Sequence, residues 1–132
     1  MLLTKKSEYA LLSLVSIAKS DQPKNVDILA TELGISKSFL AKILQNLAKN
    51  GILNSYKGNN GGFTLKKPCE ELTILEITSI AEEKIPSVFE CTSINSTCSA
   101  SVNGGCTVFP LLANLQNKIN GFLDNLTLKD IL

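Results

Sequence analysis

The sequence lacks two residue types on which many enzymes and metal sites depend. None of its 132 residues is a histidine, which excludes Ser–His and Cys–His nucleophile pairs, histidine general bases and zinc sites with imidazole ligands. None is an arginine, so bidentate contacts from a guanidinium group to guanine are excluded as well. A nucleotide-binding glycine motif and paired catalytic carboxylates are also missing. We therefore predict that the protein is not an enzyme.

Long apolar runs are absent from the N-terminal segment. Lysines occupy positions where a signal peptide would have its apolar centre, and the longest uninterrupted apolar run there is residues 9–12. The sequence thus predicts no export signal, no membrane association and a cytoplasmic location. In a reducing cytoplasm, clustered thiols bind metal or sense redox state more often than they form structural disulfides.

The charges that are present are divided unevenly along the chain. Residues 1–67 contain ten lysines and four acidic residues, a net charge of +6, whereas residues 68–132 contain three lysines and eight acidic residues, a net charge of −5. A basic segment attracts a polyanion such as DNA, although a solvated lysine surface is the alternative. We predict a DNA-binding domain over residues 1–67 and a second functional region over residues 68–132.

Three helices are predicted in the basic half. Residues 4–19 read as a helix that is apolar around most of its circumference and begins at Thr4 as N-cap. A second helix follows Asn25 and is stopped by Gly34, which is free to adopt positive φ. A third helix begins at Ser36.

The second and third helices have the pattern of a helix-turn-helix. Ala30 is small where two crossing helices would approach, and Gly34 occupies the tight turn. The apolar residues fall where such helices need contacts: Leu29, Leu33, Ile35, Leu40 and Ile43. An ordinary helical hairpin is the alternative.

The third helix has one apolar and one polar face. The inward stripe is Leu40, Ile43, Leu44 and Leu47. The opposite face carries Lys37, Ser38, Ala41, Lys42, Gln45 and Lys49. Small and polar side chains allow a helix to enter the major groove, where Ser38 and Gln45 would bind base edges and the lysines phosphates. A solvated surface is the alternative.

A β-hairpin is predicted directly after this helix. Residues 52–56 and 63–67 read as short strands around the turn-forming segment Asn59, Asn60, Gly61 and Gly62. A hairpin in this position is the wing of a winged helix. Lys57 beside the turn would follow phosphates or enter a minor groove, unless the hairpin only covers the core.

Two further helices are predicted in the acidic half. The first, reaching to about Glu83, has a capping box of Thr73 with Glu76 and a hydrophobic staple of Leu72 with Ile77. A long helix containing Pro110 near its start carries an apolar stripe of Leu111, Leu112, Leu115, Ile119, Phe122 and Leu126. We expect a partner subunit to cover this stripe, although packing on the first helix is an alternative for part of it.

Three thiols precede the long helix. Cys91, Cys98 and Cys106 are separated by six and seven residues, too far apart for a CxxC redox pair or a zinc knuckle. The uncharged segment between them is rich in Ser, Thr, Asn and Gly. Soft anionic ligands and free backbone N–H groups suit an iron–sulfur cluster. A disulfide switch and unused surface thiols remain the alternatives.

This order of motifs resembles the Rrf-two family of bacterial transcription regulators. The helix-turn-helix ISKSFLAKILQNLAKNGIL, the wing SYKGNNGGFTL, the capped helix LTILEI and the three cysteines carry the resemblance over nearly the whole chain. It implies a mainly α-helical winged helix-turn-helix with a small β-hairpin wing and a long dimerisation helix. It also implies a homodimer that binds a palindromic operator on double-stranded DNA.

The resemblance further implies an iron–sulfur cluster, [2Fe–2S] or [4Fe–4S], although the family includes cluster-free members. The cluster thiolates would be Cys91, Cys98 and Cys106. Some members use a histidine three residues after the third cysteine as the fourth ligand, where this chain has Phe109. In others an acidic residue of the first helix reaches across from the other subunit, and Glu8 matches it.

Glu8 has an alternative role as a surface carboxylate paired with Lys5. Cys69 is the other candidate ligand.

The resemblance also assigns residues to DNA. Ser38, Phe39, Ala41 and Lys42 match positions that face bases, and Lys57 stands where many relatives have an arginine for the minor groove. We therefore expect a repressor whose cluster senses nitric oxide, or the iron–sulfur or redox status of the cell. A cluster-free thiol switch of the same fold is the first alternative, and an iron–sulfur carrier or redox subunit is the second.

Overall fold

The computed structural model describes residues 3–87 and 108–132, so the predicted ligands Cys91, Cys98 and Cys106 lie outside the described residues. The helices are α1 (Lys5–Ala18), α2 (Val26–Leu33), α3 (Lys37–Lys49), α4 (Ile74–Glu82) and α5 (Phe109–Asn125). The strands are β1 (Leu53–Tyr56) and β2 (Gly62–Leu65), and short 3-10 helices span Cys69–Glu71 and Leu128–Ile131. The prediction of a mainly α-helical fold with a small hairpin is confirmed.

The helix ends are set by the residues that the sequence indicated. The side chain of Thr4 accepts a hydrogen bond from the backbone N–H of Lys6, and that of Asn25 accepts one from Ile28 at 2.8 Å. Gly34 follows α2 with φ of +67°, in the left-handed region that glycine adopts at little cost. The caps therefore fix where α1 and α2 begin and where the tight turn lies.

The cap of α4 is formed differently from the predicted capping box. The Thr73 side chain accepts from the backbone N–H of Glu76 at 3.1 Å, as expected. The Glu76 carboxylate instead accepts from the Lys67 ammonium at 2.9 Å. Because Lys67 follows the hairpin, this ion pair connects the end of the wing to the first turn of α4.

The two strands pair in antiparallel register, with Leu53 opposite Leu65 and Tyr56 opposite Gly62. The second strand ends at Leu65, two residues earlier than predicted. On its other side, Phe63 exchanges backbone hydrogen bonds with Lys24, at 2.8 and 3.2 Å. A Cβ on Gly62 would lie 2.5 Å from the carbonyl carbon of Lys24, so this close approach requires glycine. The base of the wing is thus attached to the segment before α2.

One hydrophobic core contains residues from both halves of the chain. Leu14 of α1 and Leu44 of α3 are fully buried together with Ile77 of α4. The C-terminal segment returns to the same core, where Leu128 is fully buried and donates its backbone N–H to the Leu72 carbonyl at 2.8 Å. The helix α3 therefore packs against α1 and α4 as well as against its neighbours α2 and β1.

Two buried serines on α1 differ in their hydrogen bonding. Ser7 is 1% exposed and donates to the Glu82 carboxylate at 2.6 Å. Ser13 is 0% exposed, and its hydroxyl has no hydrogen-bond partner among the described residues. A buried hydroxyl without a partner retains its desolvation cost without a compensating bond.

We expect Ser13→Ala to stabilise the protein by about 1 kcal/mol, because it removes an unsatisfied hydroxyl and introduces a better helix former. Ser7→Ala is the matched control and should destabilise the protein by about 1 kcal/mol, because it removes a hydrogen bond to a carboxylate. Thermal and urea unfolding of the three proteins measures both effects. A shift of the two variants in the same direction would contradict these roles of the two hydroxyls.

Candidate functional site

The polar face of α3 is open to solvent along its length. The predicted inward stripe, Leu40, Ile43, Leu44 and Leu47, is buried. The exposed side chains on the other side are Lys37, Ser38, Lys42, Gln45 and Lys49, and Ala41 among them is half-buried. A helix with a buried apolar stripe and an exposed polar face beside a hairpin has the form of a recognition helix.

Phe39 differs from the other candidate contacts on α3. It is half-buried, and its ring meets the ring of Tyr9 on α1 edge to face, with centroids 5.7 Å apart and planes at 86°. Edge-to-face geometry is favourable for aromatic pairs. Phe39 therefore contributes to holding the first turn of α3 against α1.

The lysines near α3 fall into two groups. Lys37 pairs with Asp27 at the start of α2 at 2.7 Å, although both side chains are exposed. Within residues 3–87 and 108–132, Lys42, Lys49 and Lys57 form no ion pair. These three ammonium groups can bind phosphate without breaking an internal pair.

The turn of the wing lies beside the start of α2. Lys57, Asn59 and Asn60 are all exposed. Both asparagines line a depression of about 540 Å³ that also contains Asn25 and Ile28. The structure thus places these predicted wing residues next to the helix-turn-helix.

Glu8, the predicted fourth cluster ligand, lies on the exposed surface of the first turn of α1. Its carboxylate accepts from the Lys5 ammonium at 2.9 Å, the pair that the sequence offered as its alternative role. This hydrogen bond raises the pKa of Lys5. Cys69 has a free thiol, is half-buried and packs against the core. The described parts of the chain contain no group of three or more Cys, Asp or Glu side chains that could hold a metal ion.

Glu82, at the end of α4, is a polar connection that sequence patterns did not indicate. One carboxylate oxygen accepts from the backbone N–H of Thr4 at 2.9 Å, from the Thr4 hydroxyl at 2.7 Å and from the Ser7 hydroxyl at 2.6 Å. Burial alone would raise the pKa of Glu82, but the hydrogen bonds from Ser7 and Thr4 outweigh it and lower the pKa. The ionised carboxylate therefore holds the N-terminus of α1, the helix that carries Glu8.

Asn46 on α3 was also missed. Its side-chain amide donates to the backbone carbonyl of Ile80 near the end of α4 at 2.8 Å. The one sequence feature that could have indicated this contact was the position of Asn46 next to the buried residue Leu47 in an amphipathic helix. Which group the amide would meet depends on packing between distant segments, so no local pattern could identify it.

A helix-turn-helix with an attached hairpin wing and a lysine-bearing recognition helix defines a winged-helix DNA-binding transcription regulator. The profile of the Rrf2 (Rrf-two) family, described as Iron-dependent Transcriptional regulator, matches residues 3–132. The chain belongs to the Rrf2 family, as the resemblance predicted.

Several relatives show the same relationship. The HTH-type transcriptional regulator IscR of Escherichia coli K12 is 27% identical over 133 residues, which cover 99% of this chain and 80% of that protein. The structure of CymR, the global cysteine regulator of B. subtilis, superposes with a TM-score of 0.76 at 21% identity, covering 99% of this chain and 95% of CymR. The structure of the oxidised form of Staphylococcus aureus CymR superposes with a TM-score of 0.73 at 26% identity, covering 98% of this chain and 94% of that CymR chain.

Among the described residues, no helix has the length and apolar character needed to cross a membrane. IscR and CymR are both regulators by name, in agreement with a non-enzymatic role.

Proposed function

We propose that this chain is a dimeric repressor that binds a palindromic operator. Its affinity for DNA is controlled by an iron–sulfur cluster held by Cys91, Cys98 and Cys106. Glu8 of the partner subunit completes the ligand set. The observation that carries the DNA-binding part is the exposed polar face of α3, where Lys42 and Lys49, like Lys57 on the adjoining wing, have no ion pair with any described residue.

In this proposal, α3 lies in the major groove and the wing follows the adjacent backbone. Ser38 and Gln45 hydrogen-bond base edges, and Ala41 permits close approach. Lys37, Lys42 and Lys57 bind phosphates. Lys37 does so by exchanging its exposed ion pair with Asp27 for a phosphate. Asn59 and Asn60 contact the minor groove from the turn. Without arginine, base discrimination depends on these polar contacts and on DNA shape, so the phosphate contacts supply a large share of the affinity.

Lys42→Ala and Lys57→Ala should each weaken DNA binding and reduce the slope of log K against log salt concentration by about 1.8, because the dimer loses one phosphate contact in each subunit at about 0.9 per contact. Lys19→Ala removes an equally exposed lysine at the far end of α1, so its slope should equal that of the wild type. Fluorescence anisotropy across a salt series gives these slopes. Equal slopes for all four proteins would exclude the proposed phosphate contacts.

The dimeric part of the proposal is supported by α5. Leu111 is 66% exposed, Phe122 is 65% exposed and Leu115 is 40% exposed. At about 100° per residue, these three side chains lie within about 40° of arc on one face of the helix. Buried Gln116 and Leu123 lie about 100–120° further around the helix and mark its inward side. A second copy of the chain would remove this apolar face from water, as a two-fold operator requires.

Phe122→Lys should convert the dimer into a monomer, because it places a charge in an apolar interface. Asn117→Lys adds the same charge at an exposed position on another face of α5 and should leave the dimer intact. Sedimentation velocity distinguishes the two states. If Phe122→Lys remains dimeric, the dimer uses another surface and the proposed role of α5 is wrong.

The cluster part of the proposal depends on the donor set of the chain. Thiolates are ligands of both iron–sulfur clusters and zinc, but the spacers of six and seven residues between the three cysteines are longer than those of a zinc knuckle. Glu8 fits the role of an exchangeable ligand because its carboxylate is exposed and its ion pair with Lys5 is a surface pair of small energetic value. When bound, the cluster would supply iron that reacts with nitric oxide or oxidants. Lys5 offers the Glu8 carboxylate an alternative partner on release.

Protein purified without oxygen should contain iron and sulfide in stoichiometric amounts and lose operator affinity on exposure to nitric oxide. Replacing Cys91, Cys98 and Cys106 together by serine should abolish both properties, whereas Cys69→Ser should preserve them. Iron and sulfide analysis and anaerobic anisotropy measure the two effects. Metal-free wild-type protein after anaerobic reconstitution would refute the cluster.

A cluster-free thiol switch is the second candidate. The observation that favours it is the similarity to S. aureus CymR, because one structure of that protein shows an oxidised form. The same anaerobic analysis separates the candidates, since a thiol switch contains no iron and responds to peroxide through a disulfide. An iron–sulfur carrier or redox subunit would show no preference for operator over competitor DNA.

A further inference from the structure

The contact between Asn46 and Ile80 is the most directional connection between α3 and the acidic half of the chain. The Asn46 amide donates at 2.8 Å to the Ile80 carbonyl in the last turn of α4, which also accepts from the backbone N–H of Glu83 at 3.2 Å. Within residues 3–87 and 108–132, it is the single side-chain hydrogen bond from α3 to a residue outside the helix-turn-helix. The other contacts of α3 with α4 are apolar and impose less orientation.

Two open depressions flank this hydrogen bond. A depression of about 470 Å³ lies on one side and one of about 210 Å³ on the other, and Asn46 and Glu83 line both. Side chains therefore do not fill the space beside the contact. At this edge of the α3–α4 contact, the hydrogen bond rather than side-chain packing therefore fixes the angle between the two helices.

The end of α4 is itself held by two other helices. Glu82 binds Thr4 and Ser7 of α1, and the Gln116 amide of α5 donates to the Pro86 carbonyl at 2.8 Å. Gln116 lies on the inward side of α5, the helix whose exposed face carries Leu111 and Phe122. The Asn46 contact therefore links α3 to the segment that α5 holds.

We propose that Asn46 is a positioning residue that fixes the orientation of the recognition helix relative to the dimerisation helix. It thereby sets which separation of two operator half-sites the dimer accepts. This inference rests on the proposed dimeric reading of a palindrome. It assigns no contact between Asn46 and DNA. The residue acts through the angle of α3, because the angle in both subunits sets the distance between the two recognition helices, and these must fit two half-sites about one helical turn apart.

The test uses a palindromic duplex that the wild-type protein selects from a random library, and duplexes with one or two base pairs added to or removed from its centre. Asn46→Leu removes the amide while keeping similar volume, and Asn46→Asp is isosteric but cannot donate to the carbonyl. Asn117→Leu is the matched control, because Asn117 is exposed on a face of α5 away from the proposed interface. Dissociation constants are measured for every duplex and for a single half-site.

The wild type and Asn117→Leu should bind one spacing most tightly, and in both Asn46 variants this preference should be about fivefold weaker. Their affinity for a single half-site should stay within about twofold of the wild type, which a merely destabilised recognition helix would not preserve. The positioning role would be overturned if the Asn46 variants kept the full spacing preference. It would also be overturned if their affinity for a single half-site fell as much as their spacing preference. A wild type without any spacing preference would instead overturn the proposed dimeric reading on which the inference rests.

Discussion

The burial of α4 is the constraint on which the arrangement of the other elements depends. Its apolar face, with Ile74, Ile77 and Ala81 buried, contacts α1, α3 and α5. Because these three helices pack on one short element, the DNA-binding half and the acidic half share a single core. A displacement at α4 is therefore transmitted to the recognition helix, to the helix that carries Glu8 and to the helix with the exposed apolar face.

Polar contacts at the two ends of α4 fix the orientation of the elements that pack against it. At its start, Glu76 pairs with Lys67 after the wing. At its end, the Glu82 carboxylate holds α1 and the Ile80 carbonyl holds α3. Glu83, which follows, has φ of +61°, an unusual conformation for a residue other than glycine. Hydrogen bonds of this kind select one arrangement among several that apolar packing alone would permit.

Local signals in the sequence predicted most of the elements and few of their connections. Thr4, Asn25, Gly34 and Thr73 mark helix ends because capping acts over two to four residues, and all four do so in the structure. The bond from Ser7 to Glu82 spans 75 residues and follows from how the helices pack, which no short window contains. The same reasoning applies to the candidate site. Periodicity identified the polar face of α3, whereas the ion pair that occupies Lys37 depends on the crossing of two helices.

The return of the C-terminal segment to the core affects when the protein acquires its structure during synthesis. Leu128 is fully buried, and the backbone N–H of Ile74 donates to the Leu126 carbonyl at 2.8 Å, so the first turn of α4 is completed by residues made more than fifty positions later. A nascent chain that has emerged only through the wing would expose the apolar faces of α1 and α3 that α4 covers. The recognition helix should therefore reach its final packing only after the segment with Leu126 and Leu128 has left the ribosome.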